Sequence, residues 1–172
     1  MKSFSQFLAE ARKKIRVFDF DDTLVHTDGV VRVTNKGKTR ELTPAEYALY
    51  TPQRDDVFDF DDFENVVNPR PVGWIHKILQ GLKSAGSEAE ILTARANYAP
   101  IKAYLKSHGI RDVYVNALGS GNPQEKAKHI EARIQRGYDF IEFFDDSPLN
   151  IKAVAALKNK YPDVRIRARK VG

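Results

Sequence analysis

Ile15-Arg16-Val17-Phe18-Asp19-Phe20-Asp21-Asp22-Thr23-Leu24 is the stretch on which the reading of this chain turns. Residues 15 to 20 make a compact, mostly apolar run with an acidic end, the pattern of a strand buried on both faces of a parallel sheet. Upstream, Phe4, Phe7, Leu8 and Ala11 recur at helical spacing and are followed by Arg12, Lys13 and Lys14, which predicts a short amphipathic helix. Downstream, residues 28 to 42 mix the turn signals Gly29 and Asn35-Lys36-Gly37 with β-branched Val30, Val31, Val33 and Thr34, predicting a hairpin-like flap. Thr43-Pro44-Ala45-Glu46 reads as a helix start, and residues 51 to 70 as an acidic, irregular insert.

From residue 75 onward, helix and strand signals alternate. Ile75, Ile78, Leu79 and Leu82 mark a helix face; Glu90 to Thr93 a strand end; Ile101, Tyr104, Leu105 and His108 a second helix face; Val113 to Val115 a strand. Pro123 opens a helix reaching Gly137, Phe140 to Phe144 is a strand, Pro148 to Lys160 a helix and Val164 to Ala168 a last strand. Four such alternations predict an α/β doubly wound parallel sheet, with a small flap or cap insert at about residues 28 to 70. The expected organisation is an N-terminal helix or targeting peptide over residues 1–14 and one domain over 15–172.

The chain has 172 residues, 42% of them hydrophobic and 30% charged, ordinary values for a globular domain with a core. It contains no Cys, which excludes disulfides, thiolate zinc sites and cysteine nucleophiles, so any metal sits on oxygen or imidazole. No apolar run approaches the roughly 20 residues of a membrane-spanning helix, and the first residues lack a secretory h-region, so a soluble, cytoplasmic protein without membrane contact is expected. A formal charge of +5 favours approach to polyanions such as nucleic acid, although solubility alone accounts for it equally well. Arg165, Arg167 and Arg169 alternate with Val164, Ile166 and Ala168, which suits an edge strand as well as a phosphate-binding surface.

Ligands of an open parallel sheet bind beyond the carboxyl ends of its strands. Asp19, Asp21 and Thr23 follow the first strand and Thr93 and Arg95 the second; Lys126 and Lys128 precede the fourth, and Asp145 and Asp146 end it. A phosphate monoester repels a carboxylate nucleophile unless a cation lies between them, and magnesium binds through one or two carboxylates plus the substrate phosphate. Asp19 is therefore read as the nucleophile forming an aspartyl-phosphate, and Asp21 as the general acid and base. Thr93, Arg95 and Lys126 are the phosphate-binding candidates, and Asp19, Asp21, Asp145 and Asp146 the candidate ligands of Mg2+. Lys128 competes with Lys126 for its role. His26, His76, His108 and His129 are scattered and read as surface or core residues, and Trp74 as core.

Val17-Phe18-Asp19-Phe20-Asp21-Asp22-Thr23-Leu24 resembles the first motif of the haloacid dehalogenase-like superfamily. Ile91-Leu92-Thr93 is similar to its second motif, Lys126 to its third, and Phe143-Phe144-Asp145-Asp146-Ser147 with Asn150 to its fourth. The resemblance spans most of residues 15 to 170 and implies a Rossmann-like sheet, magnesium and a phosphatase, with aspartate at both Asp19 and Asp21 similar to the phosphatase branch. Asp22 departs from the glycine most common in that loop. Thr93-Ala94-Arg95 also resembles the Ser/Thr-Gly-Arg stretch of polynucleotide 3′-phosphatases. A nucleotide, a nucleic-acid end and a small phosphometabolite all remain open as substrates.

Two further features stand out. The hexapeptide Val17 to Asp22 recurs letter for letter as Val57 to Asp62, but the second copy follows polar residues and has Phe63 in place of Thr23, so the first is taken as the catalytic loop. Met1 to Glu10 resembles the capsid-targeting peptide of internal head proteins in large tailed bacteriophages. That resemblance implies host cytoplasm or virion as location, and a protein partner for the N-terminal helix. The alternative to an enzyme is a packaged head protein or a phosphate-binding module of the same fold without turnover.

Overall fold

The computed structural model describes residues 12–172. The expected N-terminal helix and targeting peptide lie, but for residues 12–14, outside the described residues. In chain order, β1 (Lys14–Phe18) and β2 (Val25–His26) lead into a hairpin of β3 (Val31–Asn35) and β4 (Lys38–Leu42). Helix α1 (Pro44–Leu49), β5 (Val57–Asp59), a 3-10 turn (Asp61–Glu64) and β6 (Arg70–Pro71) follow. Then come α2 (Gly73–Ser84), β7 (Ala89–Thr93), α3 (Ala99–Ser107), β8 (Tyr114–Ala117), α4 (Pro123–Gln135), β9 (Phe140–Asp145), α5 (Pro148–Ala155), α6 (Leu157–Lys160) and β10 (Arg165–Lys170).

The main sheet has five strands in the order β10-β9-β1-β7-β8, every neighbouring pair parallel. β1 is central because Ile15, Val17 and Phe18 are apolar on both faces, so both faces must be covered. Phe18, Phe20, Ile91, Val115 and Phe144 pack on one side with Ile75 and Leu79 of α2 and Ile101, Tyr104 and Leu105 of α3. Ile15, Val17, Leu92, Ile141, Phe143 and Ile166 pack on the other with Ala127, Ile130 and Ile134 of α4 and Val154 of α5. The result is an α/β architecture with helices on both faces, compatible with a Rossmann-like fold. After β1 the chain builds outward through β7 and β8, then returns to the opposite side of β1 for β9 and β10. The order therefore reverses between β1 and β9, and the crevice beyond their carboxyl ends is where such sheets take ligands.

Between β1 and β7, residues 31–59 form a separate antiparallel sheet in the order β4-β3-β5. Lys36 (φ 47°) and Gly37 (φ 76°) sit between the paired Asn35 and Lys38, so both central turn residues adopt the left-handed conformation of a tight hairpin. Thr43 caps α1 in a reciprocal box: its hydroxyl accepts from the Glu46 amide, and the Glu46 carboxylate accepts from the Thr43 amide. The segment read as irregular contains β5, formed by the second copy of the repeat and paired with β3. Two further features differ from expectation. The last helix is broken at Ala156, and Trp74, expected in the core, is 53% exposed because it occupies the first turn of α2 beside the buried Ile75 and His76. β10 is an edge strand, as its alternation allowed. Among the described residues no helix is long and apolar enough to cross a membrane.

Candidate active site

Side chains on a strand alternate between faces, so Asp19 continues the row of Ile15 and Val17, and Asp145 that of Ile141 and Phe143, toward the α4 side. On α4, Lys126 shares the buried stripe of Ala127, Ile130 and Ile134. The three meet at the switch point: Lys126 Nζ donates to Asp19 Oδ1 and to Asp145 Oδ2, both at 2.8 Å, with all three side chains almost wholly buried. Lys128 lies elsewhere, on the exposed face of α4, paired with Glu125 at 2.8 Å.

Other donors fix the two carboxylates. Asn150 Nδ2 donates to both oxygens of Asp145 (2.9 and 3.1 Å), and the Ser147 amide donates to Oδ1 at 2.9 Å. The buried Thr23 hydroxyl lies 3.2 Å from Asp19 Oδ2 and 3.3 Å from Asp146 Oδ1, and it accepts from the Asp146 amide at 2.9 Å. Asp19, Asp145 and Asp146 each present an oxygen within 4.8 Å of the others. This all-oxygen donor set is of the kind that holds a hard divalent cation.

Burial raises the Asp19 carboxyl well above the ordinary carboxylate range; the Lys126 ammonium opposes that rise, while Asp145 and Asp146 add to it. Asp146 is raised as well, by burial and by Asp145. Burial works against the charge of Lys126, but Asp19 and Asp145 outweigh it and hold the ammonium above the usual lysine range. Three carboxylates thus share one fixed cation, an arrangement a second cation would relieve.

Asp21 and Arg95 depart from expectation together. Asp21 lies outside the acidic cluster: its carboxylate takes a two-pronged bond from Arg95 Nε and Nη2, both 2.8 Å, and a third from the Thr27 hydroxyl at 2.9 Å. It is therefore not among the clustered carboxylates that could hold a metal. Arg95, expected on the phosphate, instead joins Asp21 to the insert. Its Nη1 donates to the carbonyls of Phe63 (3.1 Å) and Asn65 (2.5 Å), and its guanidinium lies 4.9 Å from the Phe63 ring centre. Thr93 is buried at the end of β7, where its hydroxyl accepts from the Arg95 amide at 3.2 Å. The loop between Asp19 and Thr23 turns on Asp22, whose φ of 56° explains why glycine suits that position and aspartate tolerates it.

Reading the sequence missed Thr27 and the Phe63 and Asn65 carbonyls. Backbone acceptors leave no signature in a sequence, and Thr27 lies in a loop without periodicity. The choice between Lys126 and Lys128 did carry a signal, because only Lys126 is four residues from the apolar Ile130.

A cavity of about 570 Å³ lies at the opposite end of the sheet, lined in part by Ala89, Glu90, Tyr114, His129 and Arg133. Its buried charge is internally matched. Burial would raise Glu90, but His129 at 2.7 Å and Arg133 at 2.5 Å bring it below the ordinary range. Volume alone does not make it the site; the convergent carboxylates lie at the switch point. Neither the models of protein families nor the curated proteins offer a match to this chain.

Proposed function

We propose that this chain is a magnesium-dependent phosphomonoester hydrolase of the haloacid dehalogenase-like kind, working through an aspartyl-phosphate on Asp19. The observation that carries the reading is the buried Asp19 at the switch point, sharing Lys126 with Asp145 at 2.8 Å and clustered within 4.8 Å with Asp145 and Asp146. The sheet order supports a Rossmann-like core, and residues 31–59 are read as a small cap.

Asp19, Asp145 and Asp146 would hold the magnesium, which when bound screens the phosphate charge from the carboxylate. Lys126 and Thr23 orient Asp19 so that one carboxylate oxygen attacks phosphorus; the new O–P bond forms as the bond to the leaving oxygen breaks. To act as the acid, Asp21 must first part from Arg95, which holds it as a carboxylate at 2.8 Å, and take up a proton from solvent; it then gives that proton to the leaving oxygen and takes one from the water that attacks the aspartyl-phosphate and releases Asp19 and inorganic phosphate. Thr93 and Lys126 donate to the transferring phosphoryl oxygens. Arg95 fixes the direction of Asp21.

The test is phosphate release from p-nitrophenyl phosphate with magnesium or with EDTA, followed by nucleotides and by oligonucleotides phosphorylated at either end. Turnover that requires magnesium is expected, and the best substrate of the panel names the substrate class. Equal rates in EDTA, or no release from any of these esters, would overturn the reading.

A further inference from the structure

The face of the sheet that α2 and α3 cover is not covered uniformly. Its apolar cluster reaches β9 and β10 only at their carboxyl ends, through Phe144 and Val171, and over the amino-terminal halves of these strands, among the described residues, side chains rather than a helix form the surface. Those side chains are Lys14 and Arg16 from β1 and Arg165, Arg167 and Arg169 from β10, standing over Phe140 and Glu142 of β9. Lys14, Arg16, Arg165 and Arg167 lie 5.3 to 5.7 Å from the centre of the Phe140 ring, which they leave only 7% exposed. Long cationic stems thus do the work of a helix while their heads reach water.

The charge is unbalanced. Arg16, Arg167 and Arg169 all turn to one carboxylate, Glu142, at 3.1, 3.6 and 3.2 Å, and Lys14 and Arg165 have no carboxylate partner among the described residues. Beside them, Arg12, Lys14, Phe140 and Arg165 line a depression of about 250 Å³. Arginines on alternate residues of the parallel strand β10 repeat about every 6.6 Å.

We propose that this basic face of β1, β9 and β10 is a docking surface for the phosphate backbone of a nucleic acid. Four of the five cations are arginines, whose planar forks match phosphate oxygens, and a run of regularly spaced cations complements a run of regularly spaced anions. An anionic membrane would want apolar anchors on the same face. The exposed large apolar residues, Leu49, Val57, Phe60, Trp74 and Leu149 among them, all lie off β1, β9 and β10. The proposal concerns binding and is separable from the phosphohydrolase reading.

The full chain in EDTA is titrated against a fluorescein-labelled single-stranded DNA of about twenty nucleotides, between about 50 and 200 mM salt. Binding is expected, with log K falling against log salt at a slope of roughly −2 to −3, since each phosphate contact contributes about −0.7. Lys14→Gln/Arg165→Gln, which removes no ion pair among the described residues, is expected to weaken binding about tenfold and to flatten the slope by about 1.4. Lys36→Gln/Lys38→Gln, which removes the same charge from the hairpin turn, is expected to bind like wild type. No binding at low salt, equal weakening by the two variants, or equal competition from polyglutamate or from phosphatidylserine vesicles would each overturn the proposal.

Discussion

Asp19→Asn is expected to lower magnesium-dependent phosphate release by at least on the order of 10³-fold while leaving the fold intact, because it removes the only nucleophile the mechanism has. The amide keeps the shape of the carboxylate and still offers an oxygen to Lys126, which retains Asp145 as its second partner. Stability should hold or rise. Burial raises Asp19 well above the ordinary carboxylate range, so its ionised form is carried at a cost near neutral pH, and that cost is absent in the neutral variant. The measurement is kcat beside the circular dichroism and thermal midpoint of the same preparation. A variant that folds and keeps more than about a tenth of the turnover places the nucleophile elsewhere.

Lys126→Met is expected to lower stability by about 3 to 5 kcal/mol at neutral pH, since it leaves Asp19 and Asp145 buried without their cation. For a chain of this length that corresponds to a midpoint lower by on the order of 10 °C. The sign of the pH dependence follows from Asp19. A carboxyl raised on folding contributes its full stability below its unfolded value, and loses it as pH rises through the folded value. Removing Lys126 extends that loss to higher pH, so the deficit against wild type should be greatest at neutral pH and shrink toward acid. On the proposed metal reading, magnesium should recover part of it. Urea unfolding across pH, with and without magnesium, measures both effects; a variant as stable as wild type at neutral pH would show that Lys126 does not hold the cluster together.

The parts of the fold legible in the sequence are those where burial leaves a pattern. β1, β7 and β9 carry apolar runs that read as strands, with residues 15 to 20 read as a buried strand of a parallel sheet, and their acidic or hydroxylic ends fall at one edge of the sheet. β5 is short, at an edge and preceded by the polar Gln53 to Asp56, so Val57 to Asp59 gave no comparable signal until paired with β3. Trp74 misled because large aromatics are usually buried, whereas its place in the first turn of α2 turns it outward. Of the site, Asp19, Asp145 and Lys126 meet as the strand and helix periods require. Arg95 could not be placed, because its partners Phe63 and Asn65 offer main-chain carbonyls, which any residue carries.

The two copies of the hexapeptide occupy opposite extremes. In one, Val17 and Phe18, on a strand paired on both sides, and Phe20 just after it are wholly buried; in the other, Val57, on an edge strand, is 66% and Phe60, just after it, 42% exposed. Intrinsic amide exchange rates depend on local side chains, so within the repeat they nearly cancel between the copies. The molecule thus carries its own control for hydrogen exchange. Slow exchange at Val17 and Phe18, limited by global unfolding, against fast exchange at Val57 and Phe58 would report tertiary context alone.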